Sequence, residues 1–180
     1  MVNQGTGRQE DKRMLTGMFR DRDSTENAYR SLRDRGYSDD DINVMMSDET
    51  RDKYYKNSDV VPDDNKALEG AGTGGAIGGA LGAIIGGIAA IGTNLIIPGI
   101  GLVVWGPIAA ALAGAGAGGA TGGLVGALIG WGIPEEHAKQ YEEGIRNGGT
   151  LLGVNPRNDE DAAYFENEWR NNYHGENVYR

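Results

Sequence analysis

The sequence contains no cysteine. That absence excludes a disulfide framework, a thiolate metal site and a cysteine nucleophile. Histidine is scarce as well: only His137 and His174 occur, and neither has a second histidine three or four residues away. The acidic runs at 39–41 and 159–161 lack the spacing of a calcium loop, and no serine stands in a G-x-S-x-G elbow. The sequence therefore predicts no catalytic residue, no metal site and no cofactor.

The chain is short of positive charge, with 17 lysine and arginine residues against 26 aspartate and glutamate residues. Its formal net charge is −9 and its pI is about 4.7. An acidic chain repels phosphate, so nucleic acid is not an expected partner, and anionic lipid headgroups exert no general attraction. The polar stretch 1–13 lacks the apolar core of a signal peptide. We expect a disordered polar arm there and a cytoplasmic protein.

Charge of either sign is missing from residues 70–134, where most of the 31 glycines fall. The mean hydropathy of −0.46 therefore averages over two unlike parts of the chain. Within the uncharged block, GAGTGG at 70–75 and GAGAGG at 114–119 fit the G-x-G-x-x-G pattern of a dinucleotide-binding turn. Neither has both the preceding strand and the following acidic residue that such a turn requires. We therefore expect no nucleotide cofactor.

A more regular spacing arranges glycines in two rows with a step of four residues. Positions i and i+4 share one face of a helix, so each row predicts a bare groove that a second helix can approach closely. Bulky residues occupy the opposite face of each segment, which makes both predicted helices, at about 70–91 and 108–131, apolar all round. The predicted helix-packing and oligomerisation residues are Gly70, Gly74, Gly78, Gly82, Gly86, Gly114, Gly118, Gly122, Gly126 and Gly130.

Each predicted helix is long enough to cross roughly 30 Å of hydrocarbon at about 1.5 Å per residue. The connection between them, TNLIIPGIGLVVWGP at 93–107, is apolar and is broken by Pro98. In a membrane this connection is expected at the far interface, with Trp105 near headgroup depth. The soluble alternative is a hairpin that packs against its own copies, because so much apolar surface cannot stay exposed in water. Both interpretations predict self-association.

The first charged flank predicts a β-α-β unit. Strand-like stretches occupy 14–19 and 42–47, and the helix between them ends at Gly36. Asp23 or Ser24 would cap this helix, with Glu26 near the third helical position as in a capping box. A polar linker then leads into the glycine-rich block.

The second flank repeats the pattern. Strands are predicted at 150–155 and 175–180 around a helix that carries Phe165 and Trp169, and a further helix follows Pro134. Two such units predict an α+β fold, a ferredoxin-like β-α-β-β-α-β sandwich interrupted by a long glycine-zipper helical hairpin. The predicted divisions are 1–13, the polar arm; 14–66, the first half and linker; 67–133, the hairpin; and 134–180, the second half.

The order of these segments resembles a known family. The matching stretches are TGMFRDRDSTENAYRSLRDRGYSDDDINVMM at 16–46, IPGIG at 97–101, GP at 106–107, GIPEEHAKQYEEGIRNGGTLLGV at 132–154 and DAAYFENEW at 161–169. Together with the glycine-rich double segment they resemble the bacterial general stress (heat-induced stress, YflT-type) proteins over about 14–172. The resemblance implies a stress-associated protein with a ferredoxin-like part and a glycine-zipper insertion, and it supplies no catalytic residues.

These observations predict a non-enzymatic, self-associating, stress-related protein. Its glycine-zipper hairpin would insert in a membrane or form the core of a homo-oligomer, so the expected partners are the protein itself and the lipid bilayer. The expected location is the cytoplasmic face of a membrane, or the cytoplasm as a large soluble assembly. No small-molecule substrate is indicated. The alternative is a membrane-anchored or soluble sensor module, whose ferredoxin-like sheet binds a ligand or partner.

Overall fold

The computed structural model describes residues 14–56, 95–97, 101–109 and 123–180. These residues form an antiparallel sheet of six strands with helices on both faces, so the predicted α+β class is confirmed. The strands are β1 Leu15–Phe19, β2 Ile42–Ser47, β3 Leu95–Ile97, β4 Leu102–Trp105, β5 Thr150–Val154 and β6 Glu176–Tyr179. They lie in the order β3-β4-β2-β5-β1-β6, and every neighbouring pair is antiparallel.

The helices cover the two faces of this sheet. The described α-helices are α1 Arg22–Asp34, α2 Asp48–Arg51, α3 Gly123–Gly130, α4 Glu135–Arg146 and α5 Asp159–Asn171. A 3-10 turn covers Asp39–Asp41, a π-helical turn covers Asp52–Lys56, and residues 107–109 are helical. As its sequence predicts, α4 begins directly after Pro134 and is followed by Gly148 at a φ of +89°.

Side chains of the strands alternate between two apolar clusters, one on each face of the sheet. Leu15 and Phe19 of β1 pack with the buried residues of α1 and α5, whereas Met18 packs with those of α3 and α4. Every residue of β1, β4 and β5 is buried, which requires a cover on both sides. The helix predicted after Pro134 is thus part of the second covering layer.

The start of α1 differs from the prediction. Its N-cap is Asp21, whose Oδ1 accepts a hydrogen bond from the Ser24 amide at 2.8 Å. A cap at Asp23 or Ser24 is therefore wrong, because the earlier carboxylate already satisfies the free amide. Glu26 forms no capping box: it is buried, and its Oε1 accepts from Arg22 Nε at 2.5 Å.

The apolar connection between the two predicted glycine helices is part of the sheet. Strands β3 and β4 lie within 93–107, and β4 pairs with β2 from Val44↔Trp105 to Ser47↔Leu102. Trp105 is 3% exposed, and its ring centroid lies 6.1 Å from that of Tyr29. The expectation that this connection lies at a far membrane interface, with Trp105 at headgroup depth, is therefore wrong. Pairing with β2 and β3 satisfies the backbone of β4, and the side chains of β4 are buried in the core.

The second predicted helix is not continuous over 108–131. Helix α3 begins at Gly123, whose φ of +62° is left-handed and cannot continue a right-handed helix. The first predicted helix, 70–91, and residues 110–122 of the second lie outside the described residues. Among the residues that are described, none of the helices is both long enough and apolar enough to cross a bilayer.

A polar network joins the two halves at one end of α1 and α5. The Tyr37 hydroxyl donates to Asp161 Oδ2 at 2.7 Å and accepts from the Arg157 amide at 2.8 Å. Arg35 reaches the other oxygen of Asp161 at 2.5 Å. Burial is the main cause that raises the pKa of Tyr37, so its hydroxyl remains a donor at neutral pH. This network links residues far apart in the chain.

Replacing Tyr37 by phenylalanine is expected to lower the free energy of unfolding by about 1–2 kcal/mol, because it leaves the Arg157 amide and one oxygen of Asp161 without their partner, the buried Tyr37 hydroxyl. Urea denaturation measures the change. Tyr164→Phe is the matched control, since its ring stays under Arg35 at 3.9 Å, and it should change stability by less than about 0.5 kcal/mol. Equal effects of the two variants would refute the role given to the Tyr37 hydroxyl.

Candidate interaction surface

Helix α3 is an apolar helix with one buried side and one open side. Leu124, Ala127 and Leu128 are buried, and the two leucines belong to the cluster beneath the helix, which includes residues of α4. Ile129 is 43% exposed, the largest exposure of a bulky apolar side chain among the described residues. The sequence of this helix, GLVGALIG, contains no charged residue, so its exposed side has no group that water solvates well.

Two of the ten predicted packing glycines, Gly126 and Gly130, lie on the open side of α3. A Cβ added at either position would have no atom within 4 Å among its described surroundings. The other eight lie outside the described residues, and they are Gly70, Gly74, Gly78, Gly82, Gly86, Gly114, Gly118 and Gly122. Among the described residues, nothing packs against α3 at these two glycines.

The β3–β4 hairpin holds an end of each glycine-rich segment. Leu95, the first described residue after the first segment, pairs with Val104. The chain continues from β4 through residues 107–109 towards the second segment, and Ile108 and Ala109 are both buried in the cluster below α3. Both segments therefore leave the sheet at the same end of this hairpin.

Asn43 and Gly106 hold the backbone in place where the chain leaves β4. Asn43 is 6% exposed; its Oδ1 accepts from the Ile108 amide at 3.0 Å, and its Nδ2 donates to Gly153 O at 3.4 Å. Gly106 adopts a φ of +101° directly against the β2 backbone. These residues were missed from the sequence. The available signal was a buried-strand pattern, INVMMS, with one amide side chain in it.

A small cleft lies beside Asn43. It is lined by Thr16, Asn43, Val44, Met45, Ile108, Trp131, Leu151 and Gly153. Near it, Thr16 Oγ1 lies 2.8 Å from the Tyr141 hydroxyl, which donates to Asn177 O at 2.6 Å. Burial is the main cause that raises the pKa of Tyr141 to about 12. The phenol is therefore neutral at physiological pH and acts as a structural hydrogen-bonding group rather than as a base.

The opposite face holds a buried carboxylate. Glu26 is 3% exposed; one oxygen contacts Arg22, and the other has no hydrogen-bond partner among the described residues. The Tyr55 hydroxyl is buried and also lacks a partner there, and burial followed by the negative charge of Glu26 raises its pKa. Within the described ranges no three histidine or acidic side chains converge as metal ligands would.

The chain was compared with protein-family models, with curated proteins and with solved structures, and none of these comparisons finds a match.

Proposed function

We propose that this is a non-enzymatic, self-associating, stress-related protein in which an α+β domain holds two glycine-rich segments that pack helices. The observation that carries the proposal is the position of both segments at one end of the β3–β4 hairpin. Held together there, they form an uncharged unit whose apolar surface must be buried by lipid or by other copies. The stress-related role rests on the resemblance of the sequence to the general stress proteins.

We also propose a ferredoxin-like assignment for the domain. The strands of the two β-α-β units lie in the order β2-β5-β1-β6, with β5 between β1 and β2 and with β1 between β5 and β6. This interleaving of two split units supports the assignment. Two additions distinguish the domain from a bare sandwich of that type: β3 and β4 extend the sheet beside β2, and α3 and α4 cover its second face.

Chain lengths favour a homo-oligomer core over a spanning hairpin. The first segment is tied to the domain at both ends, by the buried Tyr55 before it and by β3 after it. A single crossing by 70–91 would leave only 92–94, which reach about 10 Å, to return across roughly 30 Å of hydrocarbon. If 70–91 were instead the returning span, residues 57–69 would have to form the outgoing one. That would place Asp63 and Asp64 in the bilayer at high cost.

The part of the second segment that lies outside the described residues is shorter still. Residues 110–122 join two buried positions, Ala109 and Leu124, on the same face of the sheet. Fully extended they reach about 45 Å, whereas crossing and returning requires about 60 Å. If lipid is the partner, both segments enter and leave on one side. We therefore propose the self-assembled core as the main role of the glycine rows and one-sided lipid contact as the alternative.

Replacing Gly78 by leucine is expected to abolish the assembly, because a bulky side chain in the glycine row separates helices that pack backbone to backbone. Native mass of the full chain, measured without detergent, should fall from a large defined species to the monomer. Ala80→Leu is the matched control: it adds the same side chain about 200° away on the helix and should keep the assembly.

Measurements on the wild-type chain decide between the partners. A wild-type chain that stays in a carbonate-washed membrane pellet and needs detergent for release would support lipid contact over the soluble core. A wild-type chain that is monomeric without detergent and absent from membranes would overturn the proposed self-association.

A further inference from the structure

The π-helical turn at Asp52–Lys56 docks on the face of the sheet that α1 covers, through the side chain of Tyr55. Tyr55 is 5% exposed and packs in the cluster that contains Val103 and Trp105 of β4. The Arg22 guanidinium lies 5.7 Å from the centroid of its ring. Turns of the π type are rare and are found frequently at functional sites. The contacts of Tyr55 therefore decide how firmly this turn is held.

The polar end of Tyr55 is poorly matched to its surroundings. The Tyr55 hydroxyl and Glu26 Oε2 are both buried, and neither has a hydrogen-bond partner among the described residues. The two groups are close enough to interact, because the negative charge of Glu26 is the second cause, after burial, that raises the pKa of the Tyr55 phenol. A donor and an acceptor thus interact without a hydrogen bond between them. Buried polar groups in proteins are almost always paired, so this contact is an exception.

The docking of the turn is therefore a balance of opposing terms. Burial of the Tyr55 ring favours the docked form, and so does the Arg22 guanidinium over the ring. Burial of the hydroxyl and of Glu26 Oε2 without partners opposes it, at a cost of the same order as the gain from one buried aromatic ring. Opening the turn would hydrate both groups at once. When such terms nearly cancel, a segment opens locally far more often than its domain unfolds.

The short helix before the turn, α2, is held by paired groups instead. The Ser47 side chain accepts a hydrogen bond from the Thr50 amide at 3.1 Å. The Asp48 amide donates to Gly101 O at 2.8 Å. These bonds fix α2 to the sheet, so an opening of the turn would begin after α2, at Asp52.

We propose that residues 52–56 form a strap that opens and closes while the rest of the described domain stays folded. In the closed form the Tyr55 ring is buried beside Glu26, and in the open form both polar groups are in water. The strap belongs to the domain itself and does not rest on the proposed function. Its consequence for assembly does rest on that function: opening frees the start of the chain that leads to the first glycine row, Gly70 to Gly86.

Amide hydrogen exchange of the full-length protein tests the strap. The amides of 52–56 are expected to exchange at least about a hundredfold faster than those of β1 and β5, whose residues are all buried. Tyr55→Phe keeps the ring and removes the hydroxyl that lacks a partner, so exchange at 52–56 should slow by about tenfold. Tyr54→Phe is the matched control, because it removes a hydroxyl from the neighbouring, partly buried ring, and it should not slow the exchange.

Three results would overturn the proposal. Exchange at 52–56 as slow as in the central strands would mean that the turn opens only when the domain unfolds. Unchanged or faster exchange in Tyr55→Phe would mean that burying the hydroxyl costs nothing or that it has a stabilising partner. Equal slowing in both variants would assign the effect to lost polarity in general. Native mass, measured separately, tests self-association, so failure of the strap and failure of the assembly are distinguished.

Discussion

Gly106→Ala is expected to lower the free energy of unfolding by about 4 kcal/mol or more, which is a large fraction of the roughly 5–15 kcal/mol of a typical domain. A Cβ at this position would lie 2.2 Å from Ile42 O and 2.9 Å from the Asn43 Cα, both in the backbone of β2. That strand lies between β4 and β5 in the middle of the sheet and has little freedom to move. The φ of +101° adds strain, since L side chains rarely adopt it. Urea denaturation followed by circular dichroism measures the loss.

Gly132→Ala is the control that separates the contact from the backbone conformation. Gly132 has a φ of +85°, similar to Gly106, but a Cβ there would meet no described atom within 4 Å. It should cost only about 1 kcal/mol, the conformational cost of alanine at a positive φ. If the two variants lose equal stability, close packing of Gly106 on β2 does not hold this corner of the sheet.

Local sequence signals were sufficient for the charged flanks. Strands predicted at 14–19, 42–47, 150–155 and 175–180 are present with bounds shifted by at most one residue. The first three are apolar or β-branched runs between turn residues, and such runs change little with tertiary context, whereas the last, GENVYR, follows only from the repeated order of elements. Gly36, at a φ of +79°, follows the C-cap of α1 and stops the helix as predicted.

The same signals failed in the glycine-rich block because pairing partners are not local. LIIPGIGLVVW reads equally well as a membrane-interface connection and as a hairpin of two short buried strands. Only the register with β2, which ends 55 residues before Leu102 at Ser47, makes it part of the sheet. Asn43 was missed for the same reason, since its partner, the Ile108 amide, lies 65 residues away.

The glycine rows themselves remain a prediction. The glycines do recur every four residues in the sequence, but this spacing does not show where a helix ends. The left-handed Gly123 divides the second row, and the sequence holds no sign of it beyond one glycine among many. Whether a row faces lipid, another copy or its own chain depends on tertiary geometry that spacing alone does not contain.

Trp169→Ala is the second large effect, with an expected loss of about 4 kcal/mol in the free energy of unfolding. Trp169 of α5 is 0% exposed, and its ring centroid lies 5.5 Å from that of Phe19 in β1. Its Cε3 lies only 2.9 Å from where a Cβ of Gly17 would be, so the indole rests on the bare backbone of β1. Removing it leaves a large cavity between the first and second halves of the chain, which denaturant unfolding of the full-length protein will register.

Trp131→Ala provides the comparison, because Trp131 is only half-buried at the edge of the cluster under α3, and its loss should cost about 1 kcal/mol. Equal losses for Trp169 and Trp131 would contradict the view that α5 holds the two halves together on β1. The pair also separates folding from assembly. Trp169→Ala removes packing inside the domain, whereas Gly78→Leu should change the native mass and leave the unfolding of the domain unaltered. An assembly that dissociates in Trp169→Ala only when the domain unfolds would show that the domain positions the glycine segments rather than forming the contact between copies.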